Sequence, residues 1–309
     1  MIIAWSYKIK IFNFKIISIT LFFFCALVFH LGWQNKTSFE KAIGLDKLSS
    51  QDKKALFEIP KALNDWKISW LGHNGYYLEN KNIKVLLDPV HDISIKGVSR
   101  KFDTFNPSSF EKIDYVIISH AHFDHMSLNT ISKMKKIETL IIPKGYKELF
   151  KEFNISKIIE VIPGETLDLK LKISVLKAQH NGSRYHPFKS SCMANSYLLD
   201  DKKTSIYFAG DTGFGEHIFD IAKKFHPDIS ILPIGAFEPN FILNYYHMNP
   251  KEALKAMKIL GSEVMIPSHF GTYRLSLDLT SEALIALMQY NKPFNQKIYL
   301  PKLYVSKTD

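Results

Sequence analysis

The segment His120-Ala121-His122-Phe123-Asp124-His125 is the most informative stretch of the chain. It follows residues 115–118, an apolar run that predicts a buried strand. Three imidazoles and one carboxylate within six residues do not suit a packed core, because each buried polar atom needs a hydrogen-bond partner. On the loop that leaves a strand, the same side chains can converge on cations. We interpret H-x-H-x-D-H as a metal-binding signature, with a solvated His-rich turn as the alternative.

Further His and Asp residues recur at the ends of other predicted strands. His180 follows residues 174–179, Asp211 follows residues 206–210, and His269 follows residues 265–268. A single histidine after a strand is usually an ordinary loop residue. Four strand ends that offer ligand-type side chains in one domain instead favour a shared metal centre.

From residue 66 onward, short β-rich runs alternate with turns and helical patterns. The predicted strands are 67–71, 76–79, 84–87, 115–119, 139–142, 172–176, 196–199, 205–209, 229–233 and 264–267. The predicted helices are 50–57, 129–136, 145–153, 215–225, 250–260 and 281–290. This mixture predicts sheets covered by helices, an α/β layered domain.

The N-terminal residues 1–33 predict a membrane anchor. Lys8, Lys10 and Lys15 precede the apolar run of residues 16–33, and about 18 such residues span a bilayer core as a helix. No small-residue cleavage site closes the run, so we favour an uncleaved signal anchor over a cleaved signal peptide or a buried helix. The preceding lysines predict a cytoplasmic N-terminus.

The expected organisation therefore has three parts. Residues 1–33 form the cytoplasmic stub and transmembrane helix, residues 34–65 form a polar spacer, and residues 66–309 form the α/β domain. The domain is expected on the non-cytoplasmic side of the inner membrane, as part of a single-pass protein. After signal cleavage it would instead be secreted or periplasmic.

Composition excludes other classes. The net charge is +10, but the lysines are scattered, and no dense basic block with interleaved aromatic residues predicts a nucleic-acid partner. The two cysteines, Cys25 and Cys192, do not form a disulfide framework or a Cys-rich zinc pattern.

Five segments resemble the metallo-β-lactamase superfamily over residues 66–302. They are Trp70-Leu71-Gly72-His73, His120-Ala121-His122-Phe123-Asp124-His125, Gln179-His180, Gly210-Asp211-Thr212-Gly213 and Ser268-His269-Phe270-Gly271-Thr272. Within the superfamily, Leu87-Asp88-Pro89-Val90, Ile234-Gly235-Ala236-Phe237-Glu238-Pro239 and Tyr246-His247-Met248-Asn249-Pro250 are similar to the N-acyl-phosphatidylethanolamine-hydrolysing phospholipase D branch. The chain departs from that branch at Asn74-Gly75, where Ala followed by Ser or Thr is usual.

The resemblance implies a four-layer α-β-β-α sandwich with two zinc ions at one edge. By position, His120, His122 and His180 would hold one ion. Asp124, His125 and His269 would hold the second, and Asp211 would bridge the two. Imidazole suits zinc and a carboxylate can bridge two cations. The related di-iron oxidoreductases usually have Glu at the position of His122 and a flavin domain, and neither is present here.

Other residues are expected to support this site. Asp88 and His73 would orient ligands from the second shell, where an Asp-Pro turn is the alternative for Asp88. By resemblance, His247 would face the substrate headgroup or act as an acid toward the leaving group. Arg184 and Arg274 could bind a phosphate, although a single loop arginine is usually a solvated surface residue.

The favoured function is a zinc-dependent, phospholipase D-like phosphodiesterase that acts on a membrane phospholipid, with Asp124, Asp211 and His247 as catalytic residues. Two close cations lower the pKa of a shared water, and the resulting nucleophile attacks a phosphodiester. A lactone or a soluble sugar phosphate fits the same ligand set, so a lactonase or sugar-phosphate hydrolase is the alternative. A non-catalytic, metal-binding membrane accessory protein is the alternative from another class.

Overall fold

A computed structural model of the chain describes residues 37–103, 105–185 and 193–305. The predicted anchor at residues 1–33 lies outside these residues, as do Cys25 and Cys192. Among the described residues, no helix has the length and apolarity that crossing a bilayer requires.

Two six-stranded sheets form the body of the domain. The strands of the first sheet are β1 (Lys67–Gly72), β2 (Gly75–Glu79), β3 (Lys84–Leu87), β6 (Ile113–Ile117), β7 (Ile137–Pro143) and β8 (Ile155–Val161). A separate two-stranded ribbon consists of β4 (Ser94–Ile95) and β5 (Val98–Ser99). The strands of the second sheet are β9 (Thr166–Asp168), β10 (Lys172–Asn181), β11 (Met193–Asp200), β12 (Ser205–Phe208), β13 (Ile229–Pro233) and β14 (Val264–Ser268).

Each sheet has an antiparallel part and a parallel part. In the first sheet, β1 to β3 form an antiparallel meander, and β3, β6, β7 and β8 run parallel. In the second sheet, β9 to β12 are antiparallel, and β12, β13 and β14 are parallel. The parallel strands therefore end at a common edge of each sheet, and loops that leave this edge are brought together.

The two sheets share one apolar core. Val85 and Ile117 of the first sheet belong to the same buried cluster as Val175, Tyr197 and Ile231 of the second. A second cluster lies on the other face of the first sheet, where Leu86, Val116 and Leu140 meet Ile131 and Phe150. Strands buried on both faces explain the near-continuous apolar runs in the sequence.

The helices are α1 (Phe39–Ile43), α2 (Ser50–Phe57), α3 (Leu128–Ser132), α4 (Glu216–Lys224), α5 (Asn240–Leu243), α6 (Pro250–Leu260) and α7 (Glu282–Asn291). Short 3₁₀ turns occur at Leu45–Lys47, Lys61–Leu63, Pro107–Ser109 and Lys147–Phe150. Helices α4, α6 and α7 bury Ile218, Leu254 and Leu284 in the core shared by the sheets. These layers confirm the α/β layered architecture expected from the sequence.

Helix α6 shows how the sequence sets the ends of a helix. The Asn249 side chain accepts a hydrogen bond from the Glu252 amide, and the Glu252 carboxylate accepts one from the Asn249 amide. Gly261 follows with a φ of 72° and closes the last turn. The bounds predicted for this helix, for α2 and for β3 and β13 are confirmed.

Two predicted helices are wrong in extent. The helix predicted at residues 129–136 is the five-residue α3, which ends at Ser132, and residues 145–153 contain the four-residue 3₁₀ turn Lys147–Phe150. Gly145 has a φ of 100°, and Glu160 accepts three hydrogen bonds, from the amides of residues 145–147. A carboxylate that binds these three amides holds a turn in place of a longer helix.

The segment predicted as a spacer packs against the domain. Ile43 and Leu56 are fully buried in the core shared by the sheets, and the Leu56 carbonyl accepts a hydrogen bond from the Leu300 amide at 2.8 Å. This differs from the polar spacer expected at residues 34–65. The apolar residues are few and widely spaced among lysines, but they are enough to attach the segment to the core.

Candidate metal centre

The predicted ligand residues meet at one edge of the sandwich. The loop after β6 carries His120, His122, Asp124 and His125, and His180 lies near the end of β10. Asp211 follows β12, and His269 follows β14. The loops after β6 and β12 approach so closely that a Cβ on Gly210 (φ 61°) would lie 2.6 Å from the Ser119 Cβ. Glycine therefore permits Asp211 to face the loop of histidines.

Three imidazoles form the first half of the centre. The distance from His120 Nε2 to His122 Nδ1 is 3.0 Å, and the distance from His180 Nε2 to His122 Nδ1 is 3.3 Å. Asp211 Oδ2 lies 3.9 Å from His120 Nε2 and 3.8 Å from His180 Nε2. The ring nitrogens of His120, His122 and His180 therefore lie close enough together to bind one metal ion.

Two imidazoles and two carboxylates form the second half. Asp211 Oδ2 lies 3.1 Å from the Nε2 atoms of both His125 and His269. Asp124 Oδ2 lies 3.4 Å from the same two nitrogens. Tetrahedral ligands at zinc distances stand roughly 3.3 Å apart, so these spacings suit a cation. Asp211 Oδ2 takes part in both halves.

Several buried atoms of the centre have no hydrogen-bond partner among the described residues. They are His125 Nε2, both ring nitrogens of His269, and Asp211 Oδ1. Leaving such atoms unpaired is costly in a protein interior. Cations held between the side chains would satisfy the nitrogen and oxygen lone pairs together, so the donor set fits bound metal ions.

The electrostatics agree with this assignment. Burial lowers the pKa of His120 and His180, and neighbouring imidazoles lower it further, so both rings are neutral and able to bind metal. Although burial opposes ionisation, the imidazoles of His125 and His269 beside them lower the pKa of Asp124 and Asp211. Both carboxylates therefore carry negative charge, and a metal ion is attracted to the point between them.

Comparison with known proteins identifies the family. The family model of the beta-lactamase superfamily domain matches residues 84–270. The chain belongs to the metallo-β-lactamase superfamily. A metal-dependent hydrolase from Nanoarchaeum equitans is 30% identical over 210 residues, which cover 67% of this chain and 85% of that protein. The chain is thus grouped with the metal-dependent hydrolases of the superfamily, as the five sequence segments indicated.

Two relatives carry a more specific name, N-acyl-phosphatidylethanolamine-hydrolyzing phospholipase D. The Caenorhabditis elegans protein 1 is 27% identical over 226 residues, which cover 66% of this chain and 64% of that protein. The mitochondrial protein of Saccharomyces cerevisiae is 30% identical over 254 residues, which cover 76% of this chain and 54% of that protein. The match therefore spans less than two thirds of either relative.

Solved structures of the superfamily share the fold. A metallo hydrolase from Ignicoccus hospitalis superposes with a TM-score of 0.54 at 23% identity, and the match covers 78% of this chain and 96% of that one. A metallo-β-lactamase fold protein from Bacillus subtilis has a TM-score of 0.57 at 17% identity, with 78% and 98% covered. The superposition thus covers almost all of each of these two chains.

Asp88, which the sequence predicts to support a ligand, contacts His125. Asp88 Oδ2 lies 2.7 Å from His125 Nδ1 and also accepts hydrogen bonds from Ser119 Oγ and Asn74 Nδ2, at 2.6 and 2.8 Å. Asp88 Oδ1 accepts the Ser119 amide at 2.7 Å. This carboxylate keeps the proton of His125 on Nδ1, which leaves the Nε2 lone pair for a metal ion.

Replacing Asp88 by asparagine is expected to weaken binding of the ion at His125 by about 10- to 100-fold, because the neutral amide no longer fixes the imidazole tautomer. Competition with a chromogenic chelator measures this affinity. Asp228→Asn is the matched control, since Asp228 also accepts hydrogen bonds from both the amide and the hydroxyl of one serine, Ser205. Equal affinities in the two variants would contradict this role of Asp88.

His73 and His247 lie closer to the centre than their predicted supporting roles required. His73 Nε2 is 2.9 Å from Asp124 Oδ2, and its ring centroid is 4.2 Å from that of His269. His247 Nδ1 is 3.9 Å from Asp211 Oδ2 and has no hydrogen-bond partner among the described residues. Both residues occur in groups of side chains that can converge on a metal ion.

Arg184 and Arg274, which were predicted to bind phosphate, donate hydrogen bonds to main-chain carbonyls instead. Arg184 Nη1 donates to the carbonyls of Ala121 and Met126, at 3.1 and 2.7 Å, and the guanidinium lies 4.1 Å from the Phe123 ring centroid. Arg184 thus stabilises the loop that carries four of the candidate ligands, and a substrate contact stays a prediction. Arg274 donates to the carbonyls of residues 277 and 278, which fastens its own loop.

Sequence reasoning missed three supporting groups. Asn74 and Ser119 bind Asp88, and the Tyr246 carbonyl lies 3.0 Å from His180 Nδ1 and fixes that ring. Asn74 was noticed only as a departure from the related branch. The position of Ser119, directly between a strand and the first ligand, was the one available signal.

Proposed function

We propose that the chain is a phospholipase D-like phosphodiesterase that uses two zinc ions to hydrolyse a phospholipid of the N-acyl-phosphatidylethanolamine type. The observation that carries the proposal is the position of Asp211 Oδ2, which lies within 3.1 to 3.9 Å of ring nitrogens from both halves of the centre. A single carboxylate shared in this way suits a dinuclear site. The names of the worm and yeast relatives support the substrate class.

Different residues of the site would have different roles in the reaction. Two zinc ions bound here would supply Lewis acidity toward phosphoryl oxygens and make water a stronger acid. Asp211 lies between the two sets of imidazoles and would hold them at a fixed separation, and Asp88 orients His125. His247 would bind the headgroup or give a proton to the leaving oxygen, and its Nδ1, 3.9 Å from Asp211 Oδ2, has no hydrogen-bond partner among the described residues.

We also infer that residues 1–33 anchor the protein in the inner membrane, with the hydrolase domain on the non-cytoplasmic side. The inference rests on the apolar run of residues 16–33 and the lysines before it. Such an anchor suits a bilayer-resident substrate. No nucleic-acid partner is expected, because the lysines are scattered along the chain.

The proposal is tested with the full chain, reconstituted in detergent with zinc and given three substrates. These are an N-acyl-phosphatidylethanolamine, a water-soluble phosphodiester and a lactone. The expected products of the lipid are phosphatidic acid and the free N-acylethanolamine, with one ¹⁸O from labelled water in the phosphate, because the P–O bond to the headgroup breaks. Hydrolysis of the lactone without hydrolysis of the lipid would contradict the proposal and favour a lactonase.

A further inference from the structure

An exposed apolar surface lies beside the metal centre. It consists of Phe241, Ile242, Tyr245 and Tyr246, whose exposed fractions range from 37% to 83%, and we call it the apolar rim. Residues 239–250 contain no Asp, Glu, Lys or Arg, although charged residues make up 23% of the chain. An uncharged, exposed stretch with four large apolar residues is typical of a binding surface.

The rim is held rigidly against a predicted metal ligand. The Leu243 amide donates to the Pro239 carbonyl, and the Tyr246 amide donates to the Leu243 carbonyl at 2.8 Å. The Tyr246 carbonyl lies 3.0 Å from His180 Nδ1, and the Tyr245 carbonyl accepts from Gln179 Nε2 at 2.9 Å. Whatever binds the rim is therefore fixed in position relative to the metal centre.

The N-terminal end of the described chain lies at the same edge of the sandwich. The Thr37 amide donates to the Lys101 carbonyl at 2.9 Å, and the Lys101 amide donates to the Thr272 carbonyl at 2.9 Å. Thr272 Oγ1 in turn accepts the His73 amide at 2.6 Å, and His73 contacts Asp124. A short series of direct contacts thus joins Thr37 to the metal centre.

The tether to the predicted anchor is short. The apolar run ends at Trp33, so three residues separate it from Thr37, and four extended chain steps reach at most about 14 Å. A domain tethered so closely, at the edge that carries both the metal centre and the rim, keeps that edge near the bilayer. This constraint favours a lipid surface as the occupant of the rim over a second copy of the chain.

We propose that the apolar rim contacts the lipid bilayer and directs the metal centre toward the phospholipid headgroups. Phe241 and Ile242 enter the boundary between headgroups and acyl chains, while the two tyrosines lie at the interface, where their hydroxyls stay hydrated. Without Lys8, Lys10 and Lys15 of the N-terminal stub, the rest of the chain still carries a net charge of +7, which adds attraction to anionic lipids. This inference rests on the membrane-anchored hydrolase proposed above, and it assigns the surface through which that hydrolase meets its substrate.

The test places the full chain, one copy per disc, in nanodiscs whose phosphatidylglycerol carries a photoactivatable diazirine on one acyl chain. After illumination, mass spectrometry locates the lipid adducts. We expect adducts on the peptide of residues 239–250, and at least about tenfold fewer in Phe241→Ser/Ile242→Ser, because two apolar side chains no longer enter the lipid. Tyr290→Ser/Phe294→Ser is the matched control, since these residues are 46% and 51% exposed in the α7 region.

The outcomes separate this inference from the proposed function. Labelling of the rim above that of the Tyr290 region supports bilayer contact even if no phospholipid is hydrolysed. Adducts confined to residues 1–33, or equal labelling of the two surfaces, would overturn it. Crosslinks between the rims of two copies in a lipid-free sample, without rim labelling in nanodiscs, would assign the rim to a dimer and also overturn it.

Discussion

Asp211→Asn is expected to lower kcat/KM by about three orders of magnitude or more and to reduce the zinc content below two ions per chain. Asp211 Oδ2 lies 3.1 Å from both His125 Nε2 and His269 Nε2 and 3.8 to 3.9 Å from the ring nitrogens of His180 and His120. Asparagine keeps the shape of the side chain but removes the negative charge that both halves of the centre share.

Steady-state kinetics and elemental analysis of the same preparation measure the two effects. Asp220→Asn is the control, because Asp220 is an exposed residue of α4 that pairs with the nearby Lys223. Its kinetics and zinc content should stay within about twofold of the parent, as surface substitutions usually do. An Asp211→Asn protein with two ions and unchanged turnover would remove Asp211 from the centre.

The sequence predicted the centre of the site because its strongest signals are local. The ligands of the first loop lie within six residues, and the capping residues of α6 lie next to the helix they begin. Edge elements were harder to predict. Strand β8 (Ile155–Val161) is only partly buried, so its apolar residues neither alternate nor form a continuous run, and it was missed. Strand β9 has three residues, too few for a periodic pattern.

The sequence predicted that Asp88 supports a candidate metal-binding histidine, but it could not predict which histidine, or that Ser119 also binds Asp88. Asp88 lies 31 positions before Ser119 and 37 before His125, and only the parallel pairing of β3 with β6 brings them together. Likewise, Leu56 contacts the core through Leu300, far along the chain. Contacts of this kind depend on the finished arrangement of strands, which periodicity and propensity do not specify.

Chelation is expected to abolish turnover and to lower Tm by about 10 °C, with both restored by added zinc. A metal ion that binds only the folded chain stabilises it by about 4 kcal/mol when its concentration is a thousand times Kd. Without a cation, Asp211 Oδ1, His125 Nε2 and both ring nitrogens of His269 have no hydrogen-bond partner among the described residues. The folded state then loses stability relative to the unfolded chain, in which water solvates these groups.

Differential scanning calorimetry before and after chelation measures the shift, and Asp211→Asn provides the comparison. That variant should show a smaller response to chelator, because it holds fewer ions to lose. Full activity and an unchanged Tm after exhaustive chelation would contradict a metal-dependent centre altogether. A loss of activity with an unchanged Tm would instead mean that the side chains stay together through their own contacts, such as the 2.7 Å contact between His125 and Asp88.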